Sequence, residues 1–159
     1  MKKEDFTAEE WQVLFTAPSM AGLAVTAASP SGPIGVMKEM FAVGMSLAEL
    51  VKNKPDNSLI QALVEDVRQR GTKPQKPKGL KSMEEVKNYA LEQLRAVAKI
   101  LDEKNAGAEG EEFKAWLVDI AKRTAEAAKE GGIFGFGGEL VSKEEEEMIQ
   151  EIKSILNVE

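Results

Sequence analysis

The sequence predicts an all-α protein, a single-domain bundle of about six helices. Three segments place a hydroxyl residue where a helix can begin and a glutamate three residues later, at Thr7, Ser82 and Ser142. In such a capping box, the hydroxyl and the carboxylate each accept from a backbone N–H that the first helical turn leaves unpaired. Apolar residues downstream recur every three or four positions, which is the period of a helix face. No stretch alternates convincingly with the period of two that is typical of a half-buried strand.

Length and composition predict that residues 1–159 form a single domain. The chain has 159 residues, of which 43% are hydrophobic and 30% charged, and this composition is typical of soluble globular proteins. A chain of this size can bury one compact core.

The first helix is predicted to begin after Thr7. Phe6, before the cap, and Trp11, four residues after it, have the spacing of a hydrophobic staple. Pro18 either kinks this helix or restarts it as a first-turn residue.

Residues 7–53 are predicted to form an apolar helical hairpin at the centre of the bundle. After a turn at residues 29–32, Pro33 suits the first position of a second helix that reaches about residue 52. That helix is apolar on most sides, which is typical of a helix surrounded by others. We expect the later, amphipathic helices to lie around the hairpin.

Four amphipathic helices are predicted after the hairpin. A short one spans residues 59–70 and stops at Gly71, two longer ones follow, and the last begins at Ser142. The apolar stripes of the two longer helices are Val86, Ala90, Leu94, Val97 and Leu101, and Phe113, Trp116, Leu117, Ile120, Thr124 and Ala127. Two segments are predicted to be non-helical, a basic connector at 71–81 and a glycine and phenylalanine loop at 131–141.

Charge and targeting features favour a cytoplasmic protein that binds no nucleic acid. The formal net charge is −6, whereas nucleic acid requires an accumulated positive face. The mixed charges at residues 1–5 do not form a signal peptide. Residues 12–37 carry no charge, but prolines interrupt them, so no transmembrane segment is predicted.

Histidine and cysteine are both absent. This excludes disulfides, thiolate nucleophiles, imidazole bases and the usual zinc and di-iron ligand sets. We therefore expect no cofactor and no metal, and a binding role over an enzymatic one. The run from Glu144 to Glu147 is predicted to be a solvated acidic face, because four consecutive side chains fan around a helix and cannot converge on one ion.

Lys38 and Glu39 are the first candidate site. Between Gln12 and Lys52 the only other charged residue is Glu49. A carboxylate held among apolar side chains has a raised pKa, which suits acid–base chemistry or ligand binding. Alternatively, adjacent helical residues point in different directions, and the pair can simply reach water.

The loop containing Phe134, Gly135 and Phe136 is the second candidate site. It leads into a helix N-terminus, like a phosphate cradle, but no predicted strand precedes it and the helix opens with glutamates that repel anions. Its phenylalanines can fold back onto the bundle, or they can bind a partner or cover a ligand.

Two segments resemble known helical families. The stretch from Thr124, TAEAAKEGGIFGFGGELVSKEEE, and the stretch from Ser29, SPSGPIGVMKE, resemble a small family of all-helical prokaryotic proteins of no established activity. The order of helix, glycine loop, Ser-x-x-Glu and a helix with spaced Ile and Leu is similar, more distantly, to the tellurite-resistance TerB-like helical domain. Acidic loop residues usual in that domain are Gly and Phe here. The resemblance implies an all-α fold and gives no support to a metal-related role.

These observations lead to one principal functional hypothesis and two alternatives. The principal hypothesis is a non-enzymatic cytoplasmic binding or assembly module that binds a protein partner or self-associates. The first alternative is a small-molecule-binding protein or enzyme whose pocket lies between the hairpin helices and uses Glu39, with Lys38 as counter-charge. The second is peripheral membrane association through Phe134 and Phe136.

Overall fold

The fold is all-α in the ranges that a computed structural model describes, residues 1–29, 56–70, 82–129 and 141–159. These ranges contain no strand. They hold a 3-10 helix, Lys3–Asp5, and five α-helices: α1 Ala8–Ala28, α2 Ser58–Arg70, α3 Met83–Glu103, α4 Gly107–Lys129 and α5 Lys143–Leu156. The second hairpin helix, the connector at 71–81 and all of the predicted loop except Val141 lie outside them.

The predicted caps begin α1, α3 and α5. The hydroxyls of Thr7 and Ser142 accept from the backbone N–H three residues on. The carboxylates of Glu10 and Glu145 accept in turn from the backbone N–H of Thr7 and of Ser142, so both capping boxes are complete. Ser82 accepts from the backbone N–H of Glu85. Two complete capping boxes and the hydroxyl cap of Ser82 therefore mark three of the helix starts.

The predicted hydrophobic staple is also present. The rings of Phe6 and Trp11 lie with their centroids 5.8 Å apart, and both side chains are buried. Pro18 neither ends nor restarts α1, which continues through it to Ala28.

Helix α1 is the central helix of the described bundle. It packs against α3, α4 and α5, and no residue from 14 to 29 is exposed. The small side chains Ala17, Ala21 and Ala24 are completely buried, and small side chains allow helices to approach closely.

The apolar stripes face this centre. Their buried members on α3 and α4 are Ala90, Leu94, Val97 and Leu101, and Phe113, Leu117, Ile120 and Thr124. On α5 the buried apolar residues are Met148, Ile149, Ile152 and Leu156. Because each set recurs at the helical period, burial of one face orients each helix.

Candidate functional site

The residues singled out by sequence, Lys38 and Glu39 and the loop residues Phe134, Gly135 and Phe136, all lie outside the described residues. Those two candidate sites therefore remain predictions. The described helices instead contain several polar clusters that join one helix to another.

An open cavity of about 330 Å³ lies at the turn between α3 and α4. Asn105 and Gly107 have φ angles of 51° and 54°, the left-handed conformation that reverses the chain here. Leu101, Ala106 and Gly110 contribute apolar surface to its wall. A Cβ atom at position 110 would lie 2.7 Å from the Cβ of Ala106. Glycine is thus required for this close approach.

The polar part of the cavity wall is an ion cluster around Lys114. This lysine is 2% exposed. Its Nζ donates to Asp102 Oδ1 over 2.8 Å and to Glu111 Oε1 over 3.1 Å. The two carboxylate side chains are 60% and 62% exposed. The cluster therefore joins the end of α3 to the first turns of α4, with the cation inside and the anions facing water.

The surroundings of Lys114 keep it protonated. Burial by itself lowers the pKa of the ammonium, but the hydrogen bonds that it donates to Asp102 and Glu111, together with their negative charges, outweigh burial and raise the pKa above its ordinary value. A nucleophilic or basic lysine requires the opposite shift. The arrangement suits structural cross-linking better than catalysis.

A second cluster joins the first residues of the chain to α1 and α2. Asp66 on α2 is 5% exposed. Its Oδ2 accepts from the indole Nε1 of Trp11 over 2.9 Å, and its Oδ1 accepts from Lys3 Nζ over 2.8 Å. A buried carboxylate requires donors of this kind, because its desolvation is costly. Asp66 thereby fixes the position of α2 against the start of α1.

The N-terminal end of α2 is attached to α4. The side-chain amide of Asn57 donates to the carbonyl of Glu109 and to Glu112 Oε2, each over 2.9 Å. The hydroxyl of Ser58 donates to Glu109 Oε1. The terminal amine of Met1 contacts both Ser58 and Glu109. Hydrogen bonds from this amine and from Ser58 lower the pKa of Glu109 below its usual range.

The acidic run at the start of α5 is not a uniformly solvated face, and the expectation is wrong for one residue. Glu144, Glu146 and Glu147 are exposed, but Glu145 is 3% exposed. Its Oε2 accepts from the backbone N–H and the hydroxyl of Ser142, each over 2.9 Å. Its Oε1 has no hydrogen-bond partner on the described residues. Glu145 is buried because it lies one helical turn before Met148 and Ile149 on the apolar stripe.

These buried charges were not predicted from the sequence, although their helical spacing from apolar residues indicates burial. Lys114 precedes Val118, Ala121 and Ala125 at helical spacing, and all three are buried. A charged residue in phase with an apolar stripe is expected to be buried together with a partner.

The acidic side chains and the helix lengths of the described residues bear on metal binding and on membrane crossing. On the described ranges no three acidic side chains are arranged to hold a metal ion. Within the same ranges, no helix has both the length and the apolar character needed to cross a membrane.

Comparisons with known proteins give no match. No family model matches the chain, and neither a curated protein nor a solved structure is similar enough to count as a match. The helices and their packing define the class of protein, an all-helical bundle.

Proposed function

We propose that the protein is a non-enzymatic binding or assembly module of the cytoplasm, built as a single domain of about six helices around a hairpin at residues 7–53. The structural task of the chain is then to hold an interaction surface on a bundle of packed helices.

The main support for this proposal is that buried charged side chains in the described helices join one element to another. Lys114 connects α3 and α4 through Asp102. Asp66 connects α2 to Trp11 on α1 and to Lys3 in the 3-10 helix. Buried ionisable groups at a reactive site have pKa values shifted toward the proton-transfer range, whereas the shift at Lys114 is away from it. This pattern favours a scaffold.

The interaction surface is assigned to the segment containing Phe134, Gly135 and Phe136. Its support comes from the sequence, because aromatic side chains on a glycine-rich segment suit contact with another protein. The surface of the described helices offers less apolar area for such a contact, since its one exposed large hydrophobic residue is Met83, whose exposed fraction is 48%. We propose that two copies of the chain associate through the phenylalanine segment.

Self-association is tested with a double variant, Phe134→Ser with Phe136→Ser, measured by sedimentation velocity and native mass spectrometry over a range of concentrations. We expect the mass of the unmodified chain to rise with concentration and the double variant to stay monomeric. Met83→Ser is the matched control, because it removes an exposed hydrophobic side chain elsewhere.

Urea unfolding of all three proteins separates association from folding. The double variant is expected to keep the unfolding midpoint that the wild-type chain shows at low, monomeric concentration. A chain that stays monomeric throughout the range overturns the self-association proposal. Equal loss of association in the Met83 control shows that association is not specific to the phenylalanine segment.

A second candidate is a small-molecule-binding protein or enzyme that uses Glu39, with Lys38 as counter-charge. Its support is the scarcity of charge from Gln12 to Lys52, where these two residues and Glu49 are the only charged ones. It predicts a mass excess in the native spectrum that denaturation removes and that Glu39→Gln abolishes. Glu49→Gln is the control and is expected to retain the excess. A wild-type protein without excess mass, with Glu39 titrating as it would in water, overturns this candidate.

The remaining alternative, peripheral membrane association through Phe134 and Phe136, is tested with the same double variant. It requires the wild-type chain, but not the double variant, to co-sediment with vesicles. We also propose a distant similarity of the C-terminal stretch to TerB-like domains. This similarity supports the helical architecture and no particular activity.

A further inference from the structure

We draw no further inference here: the strongest candidate, the open cavity at the turn between α3 and α4, carries nothing because its buried Lys114 ammonium is already bonded to Asp102 and Glu111 and no other observation on the described residues around it points to a ligand.

Discussion

The indole Nε1 of Trp11 donates a hydrogen bond to Oδ2 of Asp66 over 2.9 Å, across 55 positions of sequence. Both side chains are buried. This bond connects the start of α1 to α2, and it is charge-assisted, which makes it stronger than a bond between neutral groups.

Removing the Trp11 donor is expected to destabilise the protein. Trp11→Phe keeps an aromatic ring in the core but leaves Oδ2 of the buried Asp66 without this donor, so we expect the free energy of unfolding to fall by about 2 kcal/mol. Urea unfolding followed by circular dichroism measures the loss. Trp116→Phe is the control, because Trp116 is half-buried and packs edge-on against Phe113. Equal losses in the two variants would refute the importance of the bond to Asp66.

We expect removal of the cation from the Lys114 cluster to change the free energy of unfolding less than removal of its two anions. In Lys114→Met the buried cation is gone and the exposed carboxylates of Asp102 and Glu111 return to water, so we expect a change within about 1 kcal/mol. In the double variant Asp102→Asn with Glu111→Gln, the buried ammonium loses both charged partners. We expect that variant to lose about 2 kcal/mol.

Chemical denaturation at neutral pH measures both Lys114-cluster variants. A triple variant that combines the three substitutions is the control and should recover most of the stability lost by the double variant. The explanation fails if Lys114→Met is the more damaging change.

Adding even a methyl group at position 110 is expected to destabilise the protein. Alanine is normally favoured over glycine in a helix by about 1 kcal/mol, but a Cβ there would lie 2.7 Å from the Cβ of Ala106. Overpacking of this kind costs about 1–3 kcal/mol, so we expect Gly110→Ala to destabilise the protein on balance.

The compensating variant is Ala106→Gly. A double-mutant cycle measured by thermal unfolding should show that Gly110→Ala is less harmful, or even stabilising, when position 106 is glycine. Strictly additive effects would mean that the two positions do not collide.

The Glu10–Lys104 ion pair, with 2.8 Å between Oε2 and Nζ, predicts a pH dependence of stability. The hydrogen bond from Lys104 and that from the backbone N–H of Thr7 lower the pKa of Glu10. A lowered pKa means that the folded state binds the proton more weakly than the unfolded state. The pair therefore stabilises the fold above about pH 4.3, and this contribution is lost as the pH falls through the lowered pKa.

The ion-pair prediction is tested by urea midpoints between pH 3 and pH 7. Glu10→Gln should make the midpoint less dependent on pH in the acidic part of this range. Glu9→Gln changes an exposed neighbour and should leave the dependence nearer to that of the wild type. Identical pH profiles for the wild type and Glu10→Gln would contradict the prediction.

The helix caps are expected to differ in strength. Loss of a capping hydroxyl costs about 1 kcal/mol, which we expect for Ser82→Ala. The hydroxyl of Ser142 accepts from the N–H of Glu145 and also donates to its buried carboxylate. Ser142→Ala should therefore cost more, about 2 kcal/mol. Thermal unfolding of the two alanine variants ranks them, and the reverse order would exclude this role of the Ser142 hydroxyl.

The helix starts could be predicted because capping is local. Thr7, Ser82 and Ser142 were recognised from residues three positions away, and the structure confirms each as a cap. At α2 the side chain of Asn57 caps the helix by accepting from the N–H of Ile60. The adjacent Ser58, which begins the helix, donates a hydrogen bond to Glu109 on α4.

The sequence by itself determined the helical class, the starts of three helices and the apolar faces that form the core, because each depends on residues within a few turns of one another. Only the tertiary structure decided which charged residues are buried and with what partner. Asp66 bonds to Trp11 across 55 positions and Lys114 to Asp102 across 12. Helical period gives the direction in which a side chain points, but the partner it meets depends on how separate helices pack.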